Sequence, residues 1–157
     1  MNLEFWSVGK SNDTYIQTGV VEFTKRISNY YKTGWKIIPP LKNAAGMNEQ
    51  ELKKNEGNKI LSLLKKDDYM VSLDQKGKHL SSEGLADFIK IKSNESVKSL
   101  VFVIGGAFGL DKAVLDNSKF RWSLSHLTFP HQLVRLILAE QVYRACTIIK
   151  NEKYHHK

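Results

Sequence analysis

The run Leu100-Val101-Phe102-Val103-Ile104 is followed at once by Gly105-Gly106-Ala107-Phe108-Gly109. Glycines directly after a buried strand let backbone approach a ligand closely, and α/β proteins bind ligands outside the carboxyl ends of their strands. The dinucleotide fingerprint Gly-x-Gly-x-x-Gly is broken, because Ala107 stands where its second glycine belongs, and no Gly-Lys-Ser/Thr phosphate loop follows. On spacing alone, a tight turn needing positive φ accounts for these glycines as well as a cofactor cradle does. Two more groups of reactive types lie downstream. His131 follows Pro130 and has Arg135 one helical turn beyond on the same face, and the last residues read Lys153-Tyr154-His155-His156-Lys157. The competing reading of that tail is a frayed basic end. Cys146 sits among apolar helix residues and reads as a packing thiol, and neither His-Glu-x-x-His nor paired Cys-x-x-Cys is present. No metal is expected.

Charge narrows the partners. The chain of 157 residues carries 24 Lys+Arg against 16 Asp+Glu, a formal charge of +8, and residues 112–157 hold 8 of the bases but only 3 of the acids. A polyanion such as RNA suits that excess, although a merely soluble basic surface would show it too. Hydrophobic residues at 41% and charged residues at 25% exclude disordered and fibrous classes. The length suits one domain, residues 1–157, and a single cysteine with no export leader or apolar span suits the cytoplasm and no membrane.

These residues need a scaffold, and the chain alternates strand chemistry with helical period. Leu3–Gly9 reads as a strand, and a helix capped by Asp13 or Thr14 follows with Ile16, Val20, Phe23, Ile27 and Tyr30 on one stripe. Trp35–Ile38 predicts a second strand, Asn48–Lys66 a helix weakened at Gly57, and Tyr69–Leu73 a third strand. Gln75-Lys76-Gly77-Lys78 reads as a turn, after which Ser81 or Ser82 caps a helix bearing Leu85, Phe88 and Ile89. The unbroken apolar run at 99–104 suits the central strand of a parallel sheet. A short helix, a brief segment Arg121–Leu124 and a helix from His131 to Lys150 complete the pattern. The expected fold is α/β, with a mainly parallel sheet and crossover helices.

The last helix is apolar nearly all round, from Leu133, Leu136 and Ile137 to Val142, Tyr143 and Ile149. Such a helix must be covered all round. One sheet face does not suffice, so a partner subunit is expected to supply the second cover in a homodimer.

Val103–Leu110, Ser123–Arg135 with its Leu-Thr-Phe-Pro-His core, Glu140–Ala145 and the terminal Tyr154-His155 stand in an order and spacing that resembles the RlmH family, and Ser7–Lys10 and Leu73-Asp74 fit as well. The resemblance spans the whole chain. It implies a SPOUT-type fold with a C-terminal trefoil knot, working as a homodimer. It also implies an S-adenosylmethionine-dependent methyltransferase acting on N3 of a pseudouridine in helix 69 of 23S ribosomal RNA, on the assembled ribosome. Nothing in the periodicity points to the knot. Carried over by position, Leu73, Gly105, Leu124, Ser125, His126, Leu127, Thr128 and Phe129 become the cofactor-binding residues. An apolar slot lined by Leu73, Leu124, Leu127 and Phe129 suits adenine, with loop amides supplying hydrogen bonds.

The acceptor is the harder half of that chemistry, because an imide nitrogen is a poor nucleophile until its proton leaves. Tyr154, His155, Arg144, His131 and Arg135 are the candidates to assist: a ring to stack on a base, a histidine to take a proton, and guanidinium groups for phosphate or an imide anion. For His131 and Arg135 a supporting role in the fold competes with direct chemistry. Two rival functions stay open. A non-catalytic ribosome-binding or assembly protein would share the basic C-terminal third, and a nicotinamide oxidoreductase would share the glycine turn, against which the broken fingerprint counts.

Overall fold

In the computed structural model, which describes residues 1–157, strands and helices alternate strictly. The elements are β1 (Asn2–Val8), α1 (Thr14–Ile27), β2 (Lys32–Ile38), α2 (Glu49–Leu63), β3 (Asp68–His79), α3 (Ser82–Asn94), β4 (Ser99–Ile104), α4 (Lys112–Asn117), β5 (Phe120–Ser123) and α5 (His131–Ile149). The sheet order is β2-β1-β4-β3-β5, and every pairing is parallel. The α/β expectation holds. β4 is the middle strand, and all six of its residues are buried, as its unbroken apolar run requires.

Alternation along the strands divides the core in two. Leu3, Phe5, Leu100, Phe102 and Ile104 face α1, α3 and α5, while Trp6, Val8, Met70, Val101 and Val103 face α2 and α4. Local chemistry starts the helices. The Ser81 hydroxyl caps α3 by accepting the Gly84 N–H at 2.9 Å, and Asn48 caps α2 through Glu51 at 2.8 Å. Asp13 occupies the N-cap position of α1 without a side-chain cap bond, and its own N–H donates to Gln132 on α5 at 2.7 Å. At Gly57 an added Cβ would stand 3.0 Å from Asp111 Cβ, so this glycine marks the close approach of α2 to the cap of α4.

Two expectations fail. Gln75-Lys76-Gly77-Lys78 does not end β3, which breaks register after Leu73 and then pairs Lys78 and His79 with Trp122 and Ser123 of β5. Turn-forming residue types here make a bulge inside a strand. Nor does α5 lack a second cover within the chain. It lies between α1 and α3 on one sheet face, with Leu136 seated over Gly19, where a Cβ would stand 2.6 Å from Leu136 Cδ1. Val142 is fully buried inside the subunit. The all-round apolar character of α5 is thereby largely explained without a partner.

Gly77 is where the bulge crosses β5: a Cβ there would lie 2.7 Å from the Arg121 carbonyl carbon and oxygen. Backbone does not yield as a side-chain end does, so Gly77→Ala is expected to cost roughly 1–3 kcal/mol of stability. Gly34→Ala, where nothing lies within 4 Å, is the control and should be neutral or slightly stabilising in the same denaturant titration.

Candidate functional site

In a parallel sheet the carboxyl ends of all strands open on one edge. Ser72 pairs with Val103, so Leu73, where β3 breaks register, stands beside Ile104, immediately before the glycine turn. Leu73 also pairs with Trp122, two residues before Leu124. Leu73, Gly105 and the segment 124–129 therefore lie on three neighbouring strands, at the register break of β3 and just past the ends of β4 and β5. Within that segment the Ser125 hydroxyl accepts the Leu127 N–H at 3.0 Å, and the Ser123 hydroxyl donates to the Ser125 carbonyl at 3.1 Å. Thr128 lies 3.4 Å from the Gln75 amide, and the His126 ring sits over His79 with centroids 4.0 Å apart. Leu73, Leu124 and Phe129 are half-buried and can wall an apolar slot. Leu127, 69% exposed, contributes no wall in this arrangement.

At the start of α5, Arg135 has no exposed surface. Its Nε donates to Ser7 Oγ at 2.7 Å, and one terminal nitrogen donates to the Lys10 carbonyl at 2.8 Å and to Asn12 Oδ1 at 2.7 Å. His131 Nε2 lies 2.6 Å from the Val8 carbonyl. A carbonyl only accepts, so Nε2 carries the hydrogen and has no lone pair for a proton. These two residues tie α5 to the end of β1, and the guanidinium has no face left for RNA or cofactor.

The other three candidates form a separate cluster, with Arg144 about 13 Å farther along α5 at 1.5 Å per residue. Glu140 is its centre: it accepts from both Nε and a terminal nitrogen of Arg144 and from the Tyr154 hydroxyl at 3.1 Å. The Arg144 guanidinium lies over the Tyr154 ring, 4.7 Å from its centroid. His155 Nε2 meets Glu83 at 2.9 Å, and its Nδ1 lies 3.3 Å from Arg144. The bond to His155 holds the Glu83 carboxyl below its usual range, so it is the acceptor. That fixes the Nε2–H tautomer and leaves the Nδ1 lone pair toward Arg144. Burial, aided by Glu140, pushes the Tyr154 phenol up and keeps it neutral. The tail is thus held by both α5 and α3, and the start of α3 lies just after His79, whose ring meets His126 of segment 124–129.

Comparison with known proteins bears on this arrangement. The family model described as "Predicted SPOUT methyltransferase" matches residues 1–155. The chain belongs to the SPOUT methyltransferase family. Proteins described as ribosomal RNA large subunit methyltransferase H are similar over their full length. The one from Flavobacterium johnsoniae is 42% identical over 157 residues, 100% of both chains, and that from Cytophaga hutchinsonii is 41% identical over 156 residues, 99% of this chain and 100% of its own. The Halothermothrix orenii protein is 42% identical, covering 99% of each. A probable methylase family protein from Haemophilus influenzae aligns with a TM-score of 0.56 at 10% identity, over 99% of this chain and 71% of its own. A probable methyltransferase from Bordetella pertussis gives 0.56 at 9% identity, over 92% and 96%. These two likenesses concern the fold alone.

The cofactor of a SPOUT enzyme is S-adenosylmethionine, and the glycine turn permits a test of fit. At Gly105 an added Cβ would stand 2.7 Å from the Gly109 carbonyl, so this glycine is first a requirement of the turn itself; Gly109, at φ +85°, is the position that needs the left-handed region. Gly106 is different. Its missing Cβ would lie 2.6 Å from Glu56 Oε2, and Glu56, only 8% exposed, has a buried Oε1 with no partner. An unsatisfied buried acceptor packed against a glycine of the turn suits a ligand rich in hydrogen-bond donors, so the residues fit. Glu140, Glu83 and Glu56 escape a reading of residue types. Only the i,i+4 spacing of Glu140 and Arg144 signals any of these contacts in the sequence.

Burial holds His131 below its ordinary value of 6.5, against the pull of its bond to Val8. The folded state then binds fewer protons than the unfolded one, so this contribution to stability is present above 6.5 and is lost as pH falls from there through the lowered value. His131→Gln should flatten the stability curve in that window. Thermal melts between about pH 5 and 8 check it, and an unchanged acid slope in the variant would place the titration elsewhere.

Proposed function

We propose that the chain acts as one domain, residues 1–157, that transfers the methyl group of S-adenosylmethionine to N3 of a pseudouridine in helix 69 of 23S ribosomal RNA on the assembled ribosome, in the cytoplasm. The observation that carries this reading is the tail cluster: Tyr154, His155 and Arg144 held together by Glu140 and Glu83, next to the loops that bring Leu73, Gly105 and Leu124–Phe129 together. Full-length relatives named for large-subunit ribosomal RNA methylation support the substrate. The excess of positive charge supports a polyanionic partner. No helix of the chain is long and apolar enough to cross a membrane.

When bound, S-adenosylmethionine supplies a methyl group on a sulfonium, an electrophile that needs no acid assistance. The protein's work lies on the acceptor. Leu73, Leu124 and Phe129 hold the adenine, and the amides of 124–129 orient it. Tyr154, neutral and flat, stacks on a base. Arg144 leaves His155 for a phosphate or for the negative charge growing on the imide, which frees the Nδ1 lone pair. Glu83 keeps the opposite nitrogen protonated, so Nδ1 is the atom that receives the N3 proton.

The expected trefoil knot in the C-terminal half belongs to this reading. The run of β3 past Leu73 over β5, and the return of α5 to the end of β1, support it. So does the homodimer. Leu133 and Ile137, one turn apart on α5, remain half-buried, and Leu127 stands exposed just before them.

Deleting residues 154–157 should leave S-adenosylmethionine binding intact while methylation of ribosomes falls by about 10²-fold or more. Calorimetry and mass spectrometry of the target nucleoside separate the two effects. Wild-type methylation by the truncated chain would remove the tail from the chemistry, and loss of cofactor binding by the intact chain would remove the enzyme reading altogether. Ile137→Glu should give a folded monomer by light scattering, because it strands a charge in an apolar contact. Val142→Glu is no test of the interface, since Val142 lies in the subunit's own core.

A further inference from the structure

Glu56 is the one carboxyl side chain of the protein with a fully buried oxygen that no hydrogen bond reaches. It projects from the middle of α2 toward Gly106, and any side chain at that position would collide with its Oε2 at 2.6 Å and Oε1 at 2.9 Å. Burial raises its carboxyl above the usual range, and no cation of the chain forms an ion pair with it. A buried acceptor without a donor is costly, more so when charged, and such a group in a folded protein calls for a partner or a role. The residues assigned to the cofactor, Leu73, Gly105 and Leu124–Phe129, include no acid. Yet the methionine end of S-adenosylmethionine carries an ammonium with three N–H donors, and a buried carboxylate is best balanced by a hydrogen-bonded cation.

We propose that Glu56 is a cofactor-binding residue, whose carboxylate, packed against the bare backbone of Gly106, receives the ammonium of the methionine end at the rim of the glycine turn. The inference rests on the methyltransferase reading and extends it to a residue on the helix behind the turn. The apolar slot then takes the adenine, and the glycine turn, with Glu56 behind it, takes the amino acid. Stability and binding are set against each other at this position. The carboxyl is a liability in the free protein and an asset in the loaded one.

The test is calorimetric, on the full chain, with three probes. S-adenosylhomocysteine keeps the ammonium but lacks the sulfonium charge, and 5′-methylthioadenosine lacks the whole amino-acid portion. Glu56→Gln keeps the shape and removes the charge. It is expected to weaken S-adenosylmethionine and S-adenosylhomocysteine alike, by roughly 10-fold or more, and to leave 5′-methylthioadenosine unchanged. The melting temperature of the ligand-free variant should be equal to or above that of the wild type. Gly106→Ala, which drives a methyl group into the carboxyl, should reproduce the same selective loss. Equal losses on all three probes, or a lowered melting temperature, would mean that Glu56 merely supports the turn and would overturn the proposal. So would a loss confined to S-adenosylmethionine, or no loss at all. A wild-type chain that bound none of the three would instead refute the methyltransferase reading itself.

Discussion

α5 enters the apolar face of the sheet carrying a guanidinium, and a buried cation is tolerated only if its N–H groups find acceptors. Arg135 has no carboxylate partner. Its acceptors are the Ser7 hydroxyl, the Lys10 carbonyl and the Asn12 amide oxygen, all from one short stretch at the end of β1. That stretch can therefore follow one path, and α5 can take one axial position against β1. Segment 124–130 runs from β5 to α5, so both of its ends are fixed before any ligand arrives. The tail leaves the far end of the same helix, and its placement over α3 follows from the same anchor.

Acidic side chains are the scarcer sign in this protein, and the placement of three of them is informative. Glu140 and Glu83 divide the tail between two helices, so that neither helix alone determines where Tyr154 and His155 lie. Both are partly open to water, and salt bridges of that kind contribute little to stability. Their value is orientation: one carboxylate aligns a guanidinium and a phenol, and the other selects a histidine tautomer. Glu56, by contrast, is buried and unpaired. A basic chain thus uses carboxylates sparingly, at places where a cation or an N–H must be aimed.

Much of the scaffold was legible in the sequence. Hydrophobic period separated five strands from five helices, and the unbroken run at 99–104 marked the central strand, because only a strand covered on both faces dispenses with polar residues. The bulge in β3 was not legible, since Gln75-Lys76-Gly77-Lys78 has turn chemistry and the pairing that extends the strand comes from β5, more than forty residues away. The flanking of α5 by α1 and α3 is hidden from the sequence for a related reason: an apolar helix surface records that it is covered, not by which element. Spacing located the glycine turn but not the separate duties of its glycines, which depend on Gly109 in one case and Glu56 in the other. For His131 and Arg135 residue type and spacing suit either a chemical or a supporting role. Only the depth of Arg135 and the direction of the His131 hydrogen bond distinguish the two.

Cys146 lies on the buried side of α5, and burial pushes its thiol up to about 12. A thiol so placed is neither ionised nor reachable while α5 stays docked, so thiol-directed oxidants and alkylating agents find no cysteine to react with in the native protein. It is also the chain's single cysteine. Its labelling rate in weak denaturant is consequently a clock for one event, the departure of α5 from between its neighbours. The molecule carries its own reporter for whether its last helix leaves alone or only when the whole sheet comes apart.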